Sequence, residues 1–532
     1  MTDWRNSLAA NLAFLCAILF PTLSWGIVNI GDDLELEGFI RAHNIMKTGA
    51  RPFSDGELTH QRNTAQLEGK YYFLRDSKAF NRFSTGPVEE ATFTFLGRAD
   101  YDAAFDLRDK YDVLDGRGQQ QYKIREAFID FVMPPFSLRL GRQQVVWGET
   151  DNFRALDVIN PLDQTWHGTR ESWEDIRIPL WMARGVWDIG KIGELEETFL
   201  EVIVIPDDFQ ANKAATDYPR PWAFRGIGLQ DESANSVLIG NTLHDLNVTV
   251  IDGSPEKRQL NNVQGGFRFK GIWSDIDFSL NYFYGFSQTT GVKVLSAGLD
   301  NLGTFQTVIE TVNPRINVFG ATASYSEEKY TQSVIRLETT ITKGIPVSIA
   351  PGAPHRADPD GDGFDTAHQS VVMLGLDRPT WIRALNELRT FFISTQFFWR
   401  RYLDYNNYYR GNFYDVRPAV ANGSVIPNRF VSDNNDQIDQ DEFVITFSAS
   451  TSYGRAGLWK PQFVFAYDPR STGAYNKIQM EYLYSKNLVF RAEQHLYWRE
   501  SGDDQGPWGL GDHLGEPGIR RNETVFTATY QF

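Results

Sequence analysis

The sequence predicts an all-β fold: a transmembrane antiparallel β-barrel of 16–18 strands, 18 favoured, with short periplasmic turns and long external loops. Three observations carry this expectation. Segments of about 10–13 residues alternate apolar and polar side chains along much of the chain. That length suits a tilted strand crossing a bilayer, whereas strands of soluble proteins centre on about 5–6 residues. The connections alternate between short and long, and the chain ends on VFTATYQF (525–532), which reads as one more strand. Phe526, Ala528, Tyr530 and Phe532 share one face there, with Thr527, Thr529 and Gln531 on the other. Terminal residues order only when a partner is waiting. In a barrel that partner is the first strand, near 33–42.

At the N-terminus, Arg5 precedes the apolar run LAANLAFLCAILF (8–20), followed by Pro21 and the small residues Ser24 and Gly26. This is the pattern of a secretory signal peptide, 1–26, with cleavage expected before Ile27. The run is too short for a spanning helix. The single cysteine, Cys16, lies inside it. An exported chain would therefore carry no disulfide, thiol nucleophile or zinc–thiolate site.

Strands are expected near 33–42, 63–74, 91–102, 121–132, 136–146, 176–188 and 195–205, with eleven more from 263 onward. Met133-Pro134-Pro135 turns the fourth into the fifth, and Gly190–Glu194 the sixth into the seventh. If the pair around 176–205 belonged to a folded loop, the count would be sixteen. In VQGGFRFKGIW (263–273), Phe267, Phe269 and Trp273 oppose Arg268 and Lys270. In IDFSLNYFYGF (276–286), Leu280, Tyr282 and Tyr284 oppose Ser279 and Asn281, and Phe283 breaks the alternation. The segments 330–343, 474–484 and 487–498 repeat the pattern, and aromatics such as Trp273, Tyr325, Trp399 and Tyr484 sit near strand ends, as interfacial girdles require. One domain, 27–532, is expected, with inserted loops at about 147–175, 206–262, 287–315, 344–369, 403–441 and 499–520. The final strand would present Phe532 to the barrel-assembly machinery, and outer-membrane lipid would surround the outer face.

A net charge of −16 argues against nucleic acid as a partner. The sequence lacks H-E-x-x-H, a P-loop, G-x-S-x-G and a nucleotide-binding glycine fingerprint, so no enzyme is expected. The register instead puts Arg98, Arg268, Lys270, Arg336, Glu338, Lys477, Glu481, Arg491, Glu493, His495 and Arg499 on the lumen side. Charges of both signs there either set up a field across a wet pore or pair across strands, as Arg491 and Glu481 could. No cofactor is expected, apart from Ca²⁺ in an external loop. In ADPDGDGFD (357–365), Asp358, Asp360 and Asp362 alternate as in a calcium loop, with Asp365 close by. Gln369 stands where such a loop needs a bidentate carboxylate.

The segment LRLGRQQVVWGETDNFRALDVINPLDQ (138–164) starts as a strand and passes into an Asp- and Asn-rich connection. Running from Trp147-Gly148-Glu149 to Asn160-Pro161, this connection is expected to fold inward as a constriction or plug at the external mouth. This run, with IPLWMARG (178–185), LEVIVIPDDF (200–209) and GLDRPTWIRALN (375–386), resembles the DUF1302 family of Gram-negative proteins. The resemblance implies an outer-membrane β-barrel without catalytic residues. It implies a setting beside DUF1329 proteins and RND-type transporters, and so traffic of hydrophobic, aromatic or lipid-like compounds. It marks Gly141, Arg142, Gln143, Trp147, Gly148, Glu149, Asn160 and Pro161 as structural or pore-shaping positions at the mouth constriction, and Asp377, Arg378, Pro379 and Trp381 further along the chain. The expected function is a porin-like channel or passive transporter. The alternatives are a plugged barrel partnering an RND-type complex, with loops 145–175 and 206–262 filling the lumen, and a structural or adhesive barrel.

Overall fold

The computed structural model describes residues 28–532 except 49–55, 77, 80–82, 85, 115, 117, 152, 169, 207, 215–234, 241, 256–259, 411–414, 422–423, 434–436, 471–472 and 500–521. The expected signal segment 1–26 with Cys16, and most of the loop expected at 499–520, lie outside the described residues. Eighteen strands pair antiparallel, each with the next: β1 (Leu34–Lys47), β2 (Glu57–Arg75), β3 (Glu90–Asp102), β4 (Gln120–Met133), β5 (Phe136–Gln143), β6 (Leu180–Ile192), β7 (Leu195–Ile205), β8 (Gln264–Trp273) and β9 (Ile276–Phe286), then β10 (Arg315–Glu327), β11 (Ser333–Ile349), β12 (Phe364–Thr380), β13 (Phe391–Tyr402), β14 (Asp441–Ser450), β15 (Trp459–Asp468), β16 (Gly473–Leu483), β17 (Leu488–Arg499) and β18 (Glu523–Gln531). The last strand returns to the first, from Phe39 opposite Gln531 to Lys47 opposite Glu523. Phe532 completes the closure, its N–H and C=O exchanging hydrogen bonds of 2.9 and 2.8 Å with Gly38. The fold is thus a closed transmembrane β-barrel, and the sixteen-strand alternative falls because β6 and β7 belong to the wall.

Closure puts the two faces of the pleat on opposite sides of the cylinder. Phe267, Tyr282, Phe319 and Ile341 lie opposite one another across four strands and form an apolar outer row. Phe267–Tyr282 and Tyr282–Phe319 ring centroids are 5.7 and 5.0 Å apart. One residue on, Arg268, Asn281, Gly320 and Thr340 form the matching inner row. Leu280 is 54% exposed and Asn281 5%. A polar strand face is tolerated inside and an apolar one outside only if the outer medium is lipid.

The turns β4–β5, β6–β7 and β8–β9 are short, and the connections on the opposite rim are long, as the sequence alternation predicts. Several boundaries differ from expectation. Strand β1 runs on to Lys47, β5 stops at Gln143 and β6 starts at Leu180, so the connection expected at 147–175 spans 144–179. Strands β11 and β12 extend past the membrane-sized segment and leave only 350–363 between them, not 344–369. The loops expected at 206–262, 287–315 and 403–441 contain strands of their own. Ser236–Ile239, Thr242–Asp252, Gly291–Leu299, Phe305–Val312, Asp415–Ala421 and Ser424–Asp433 join as a six-stranded sheet at the long-loop rim. Two of its pairings are parallel and link separate loops, which is why a reading of local hairpin signals missed it.

Candidate functional site, a loop folded into the barrel

Residues 144–179 leave β5, cross the interior and return to β6. The neck is tied by Asn160. Its Oδ1 accepts the Val145 N–H at 2.8 Å, and its Nδ2 donates to the Ile178 carbonyl at 2.9 Å. A side-chain amide can satisfy a donor on one strand and an acceptor on the other, which a carboxylate cannot. Pro161 is buried beside it, has no N–H to satisfy, and its carbonyl accepts the Ile178 N–H at 2.7 Å. Gln143 donates to the Met182 carbonyl at 3.1 Å. Arg154 and Arg177 converge on Asp157 at 3.2 and 2.8 Å and stiffen the turn.

One side of the loop seats on an apolar patch of the inner wall. Trp147, Leu156 and Ile159 pack with Ile203, Ile205, Phe283, Ile316 and Val318. Phe283 is the residue that breaks the alternation of β9, and it does so to meet this loop. The Trp147 indole N–H donates to Glu201 at 2.7 Å, and that buried carboxylate also holds Arg184 and Arg268 at 2.8 and 2.9 Å. The wall is cut back to glycine where the loop comes nearest. A Cβ on Gly266 would lie 2.9 Å from the Trp147 ring, and one on Gly320 would lie 2.2 Å from Leu156 Cδ1. Gly148 packs against the loop itself, where a Cβ would stand 3.0 Å from the Asp157 nitrogen.

Glu338, fully buried on β11, accepts the backbone N–H groups of Glu149 and Leu156, both at 2.6 Å. Beside it Arg336 donates to the Glu149 carbonyl at 2.6 Å and pairs with Asp151 and Asp377, each at 2.7 Å. Asp151 also receives Gln396 of β13 at 2.9 Å, and Phe153 meets Phe398 edge-on at 5.6 Å.

The second half of the loop reaches the opposite wall. Lys123 of β4 pairs with Asp163 at 2.8 Å, and the Arg62 guanidinium of β2 stacks 3.6 Å from the Trp166 ring. Asp175, in a single helical turn capped by Ser172, takes Arg98 of β3 and Arg41 of β1. Arg125 donates to the carbonyls of Asp175, Glu174 and Arg177. His167 lies between Glu171 of the loop and Glu523 of β18, the latter at 2.8 Å, and Arg170 meets Tyr497 of β17. The loop thus spans the lumen from β1–β4 to β7–β13 and back to β16–β18.

These contacts set the ionisation of the loop. Burial works against the Asp163 and Asp175 carboxylates, yet Lys123 holds the first, and Arg98 with Arg41 the second, down at about 2. Burial likewise opposes charge on His167, but the Glu523 and Glu171 carboxylates lift the imidazolium to about 9. Glu171 is lowered against its own burial by His43 and His167.

Of the residues expected to line a pore, Arg98, Arg268, Arg336 and Glu338 hold the loop or its supports. Lys270 pairs with Asp277 at 3.0 Å, and Arg491 with Glu481 at 2.9 Å, where Lys460 joins at 3.3 Å. His495 is buried between the Tyr475 hydroxyl at 2.8 Å and Glu493 at 3.4 Å, and Lys477 lies directly opposite it in the register. The side chain of Arg499 lies outside the described residues. Of the mouth motif, Gln143, Trp147, Gly148, Glu149, Asn160 and Pro161 belong to the neck or the loop. Arg142 does not: it lies opposite the exposed Trp181 in the register and shares the outer face with it. Period-two alternation puts it one residue out of phase with Gln143. Asp377 faces inward to Arg336, whereas Arg378, Pro379 and Trp381 are exposed at the short-turn rim.

The acidic turn lies at the tip between β11 and β12. Asp358 caps the Gly363 N–H at 3.0 Å, and Asp362 pairs with Lys293 at 3.2 Å. Asp365 accepts the Thr366 N–H at 2.7 Å, while Asp360 is exposed. Asp358 and Asp362 thus cap backbone amides of the turn, as Asp side chains do in tight turns. Sequence reasoning missed the loop contacts of Arg41, Arg62, Lys123, Glu201 and Glu523, although each is a charge on an inner strand face.

A family model described as "Protein of unknown function (DUF1302)" matches residues 46–499. No curated protein matches the chain. Among solved structures, Acinetobacter baumannii OccAB4 is similar at 7% identity and a TM-score of 0.46, over 95% of this chain and 100% of that one. Acinetobacter baumannii OccAB1 is similar at 10% identity and a TM-score of 0.45, over 96% and 99%. Salmonella typhi OmpF is similar at 10% identity and a TM-score of 0.38, over 96% and 100%.

Proposed function

The chain is a member of the DUF1302 family, and from that premise we propose that it is an outer-membrane channel whose conductance is governed by residues 144–179. The observation that carries this reading is the span of the loop, held by Glu338 and Arg336 on one wall and by Arg62, Arg98 and Lys123 on the other. An 18-stranded barrel is wide enough for an aqueous lumen. Passages beside a loop that bridges the lumen would be flanked by charged side chains and would select solutes by size and charge.

A second reading is favoured by the number of walls the loop touches: a closed barrel that opens only when an RND-type transporter, with a DUF1329 protein, engages it from the periplasm. Planar-bilayer recording of the purified protein, beside a variant lacking 145–175, separates the two. Conductance steps in the intact protein support the channel. Silence in the intact protein with large steps in the variant supports the plugged barrel. Silence in both, with the barrel folded, overturns both readings.

A further inference from the structure

We propose that His43, His167 and Glu171 form a binding site for a divalent transition metal of the Zn²⁺ class, one that pins the lumen loop to the first strand. Among the described residues, these are the group of His, Asp and Glu side chains that converge, with one ligand atom from each lying within 4.8 Å of the others. His43 comes from β1 and the other two from the loop, so an ion between them would join wall and plug.

Two observations point to a ligand beyond simple ion pairing. The first is His43. Its side chain is buried, and its Nε2 has no hydrogen-bond partner, standing 3.7 Å from the Glu171 carboxylate. A nitrogen left unpaired in the interior and aimed at a carboxylate is placed for a coordinate bond. The second is Glu523. It lies 2.8 Å from His167 Nε2, on the far side of the ring from Glu171. A carboxylate that receives one imidazole N–H fixes the tautomer and leaves the other nitrogen free for a metal, an arrangement common behind zinc-bound histidines.

Two imidazoles and one carboxylate make a three-ligand zinc set with a fourth position for water. Zinc holds such atoms at about 2.0–2.1 Å, and tetrahedral spacing brings them roughly 3.4 Å apart. Side-chain rotation of His43 supplies the closure. On binding, the metal replaces the proton shared by His167 Nδ1 and Glu171, which leaves to solvent. His60, Trp166 and His495 pack around the site with ring centroids 6.2, 5.7 and 6.3 Å from His167, and they enclose it.

The test uses the full-length protein in detergent, stripped with EDTA, dialysed and titrated with ZnCl₂ by calorimetry and metal analysis. One zinc per chain is expected, with affinity falling at least tenfold in both His43→Gln and Glu171→Gln and unchanged in His244→Gln on the rim sheet. X-ray absorption of the zinc-loaded wild type, which needs no variant, should show two imidazoles and a carboxylate. Absence of stoichiometric zinc, binding that survives both substitutions, or a shell without imidazole would overturn the site. None of these readouts depends on whether the barrel conducts.

Discussion

Leu156 stands where a side chain on Gly320 would have to stand, with 2.2 Å between its Cδ1 and the place of a Cβ. The wall of β10 is hollowed at that point, and the loop fills the hollow. Shape complementarity between plug and wall is therefore written into glycines as much as into ion pairs.

Gly320→Val should push Leu156 out of its seat. Overpacking of this kind costs about 1–3 kcal/mol, and here it falls on the loop rather than on the ladder of the barrel. Bilayer conductance should rise and proteolysis within 144–179 should quicken. The heat-modifiable electrophoretic mobility of the folded barrel should stay as it was. Unchanged conductance and cleavage would show that the seat does not hold the loop.

Glu338→Ala removes the acceptor of two backbone N–H groups at once. Each donor left buried without a partner costs about 1–3 kcal/mol. Hydrogen exchange at the Glu149 and Leu156 amides should accelerate together, and Glu338→Gln, which keeps one acceptor oxygen, should have a smaller effect. If the two amides respond independently, they do not share this anchor.

Acid should loosen the loop in a defined window. Asp163 and Asp175 sit at about 2 in the folded protein, below their ordinary 3.8. A depressed carboxylate contributes stability that is complete above its unfolded value and is lost as pH falls through the folded one. The loop should stay docked at pH 5 and weaken between about pH 4 and pH 2. Channel current recorded across that range should increase, and Asp175→Asn should flatten much of the change. A transition centred near neutral pH would assign control to other groups.

Leu280 and Asn281 are neighbours on opposite faces of β9. Arginine at Leu280 should impair insertion by about 2–4 kcal/mol at mid-membrane depth, whereas Asn281→Arg keeps its charge on the interior side and should be tolerated. Folding into lipid vesicles, followed by gel mobility, measures both. Equal impairment would contradict the register.

The barrel was legible in the sequence because its cause is local: a strand between lipid and a polar interior must alternate, and β8 and β9 do so almost residue by residue. The plug was half legible. Trp147-Gly148-Glu149 and Asn160-Pro161 marked an unusual connection, and Phe283 broke the alternation at the wall patch that the loop covers, without showing what covers it. The partnership between Glu338 and the Glu149 and Leu156 amides joins positions far apart in sequence, and no local pattern encodes such a pairing. The rim sheet escaped for the same reason, since its parallel pairings join loops that share no turn. Arg142 was misplaced by grouping a motif as a block where the strand period separates its neighbours.

The seam at which Phe532 meets Gly38 has a consequence for how the molecule is put together. His167 touches Glu523 on the last strand, and Asp175 touches Arg41 on the first. The two strands that close the cylinder are thus both tied to the loop, so the join is complete only when wall and contents fit together.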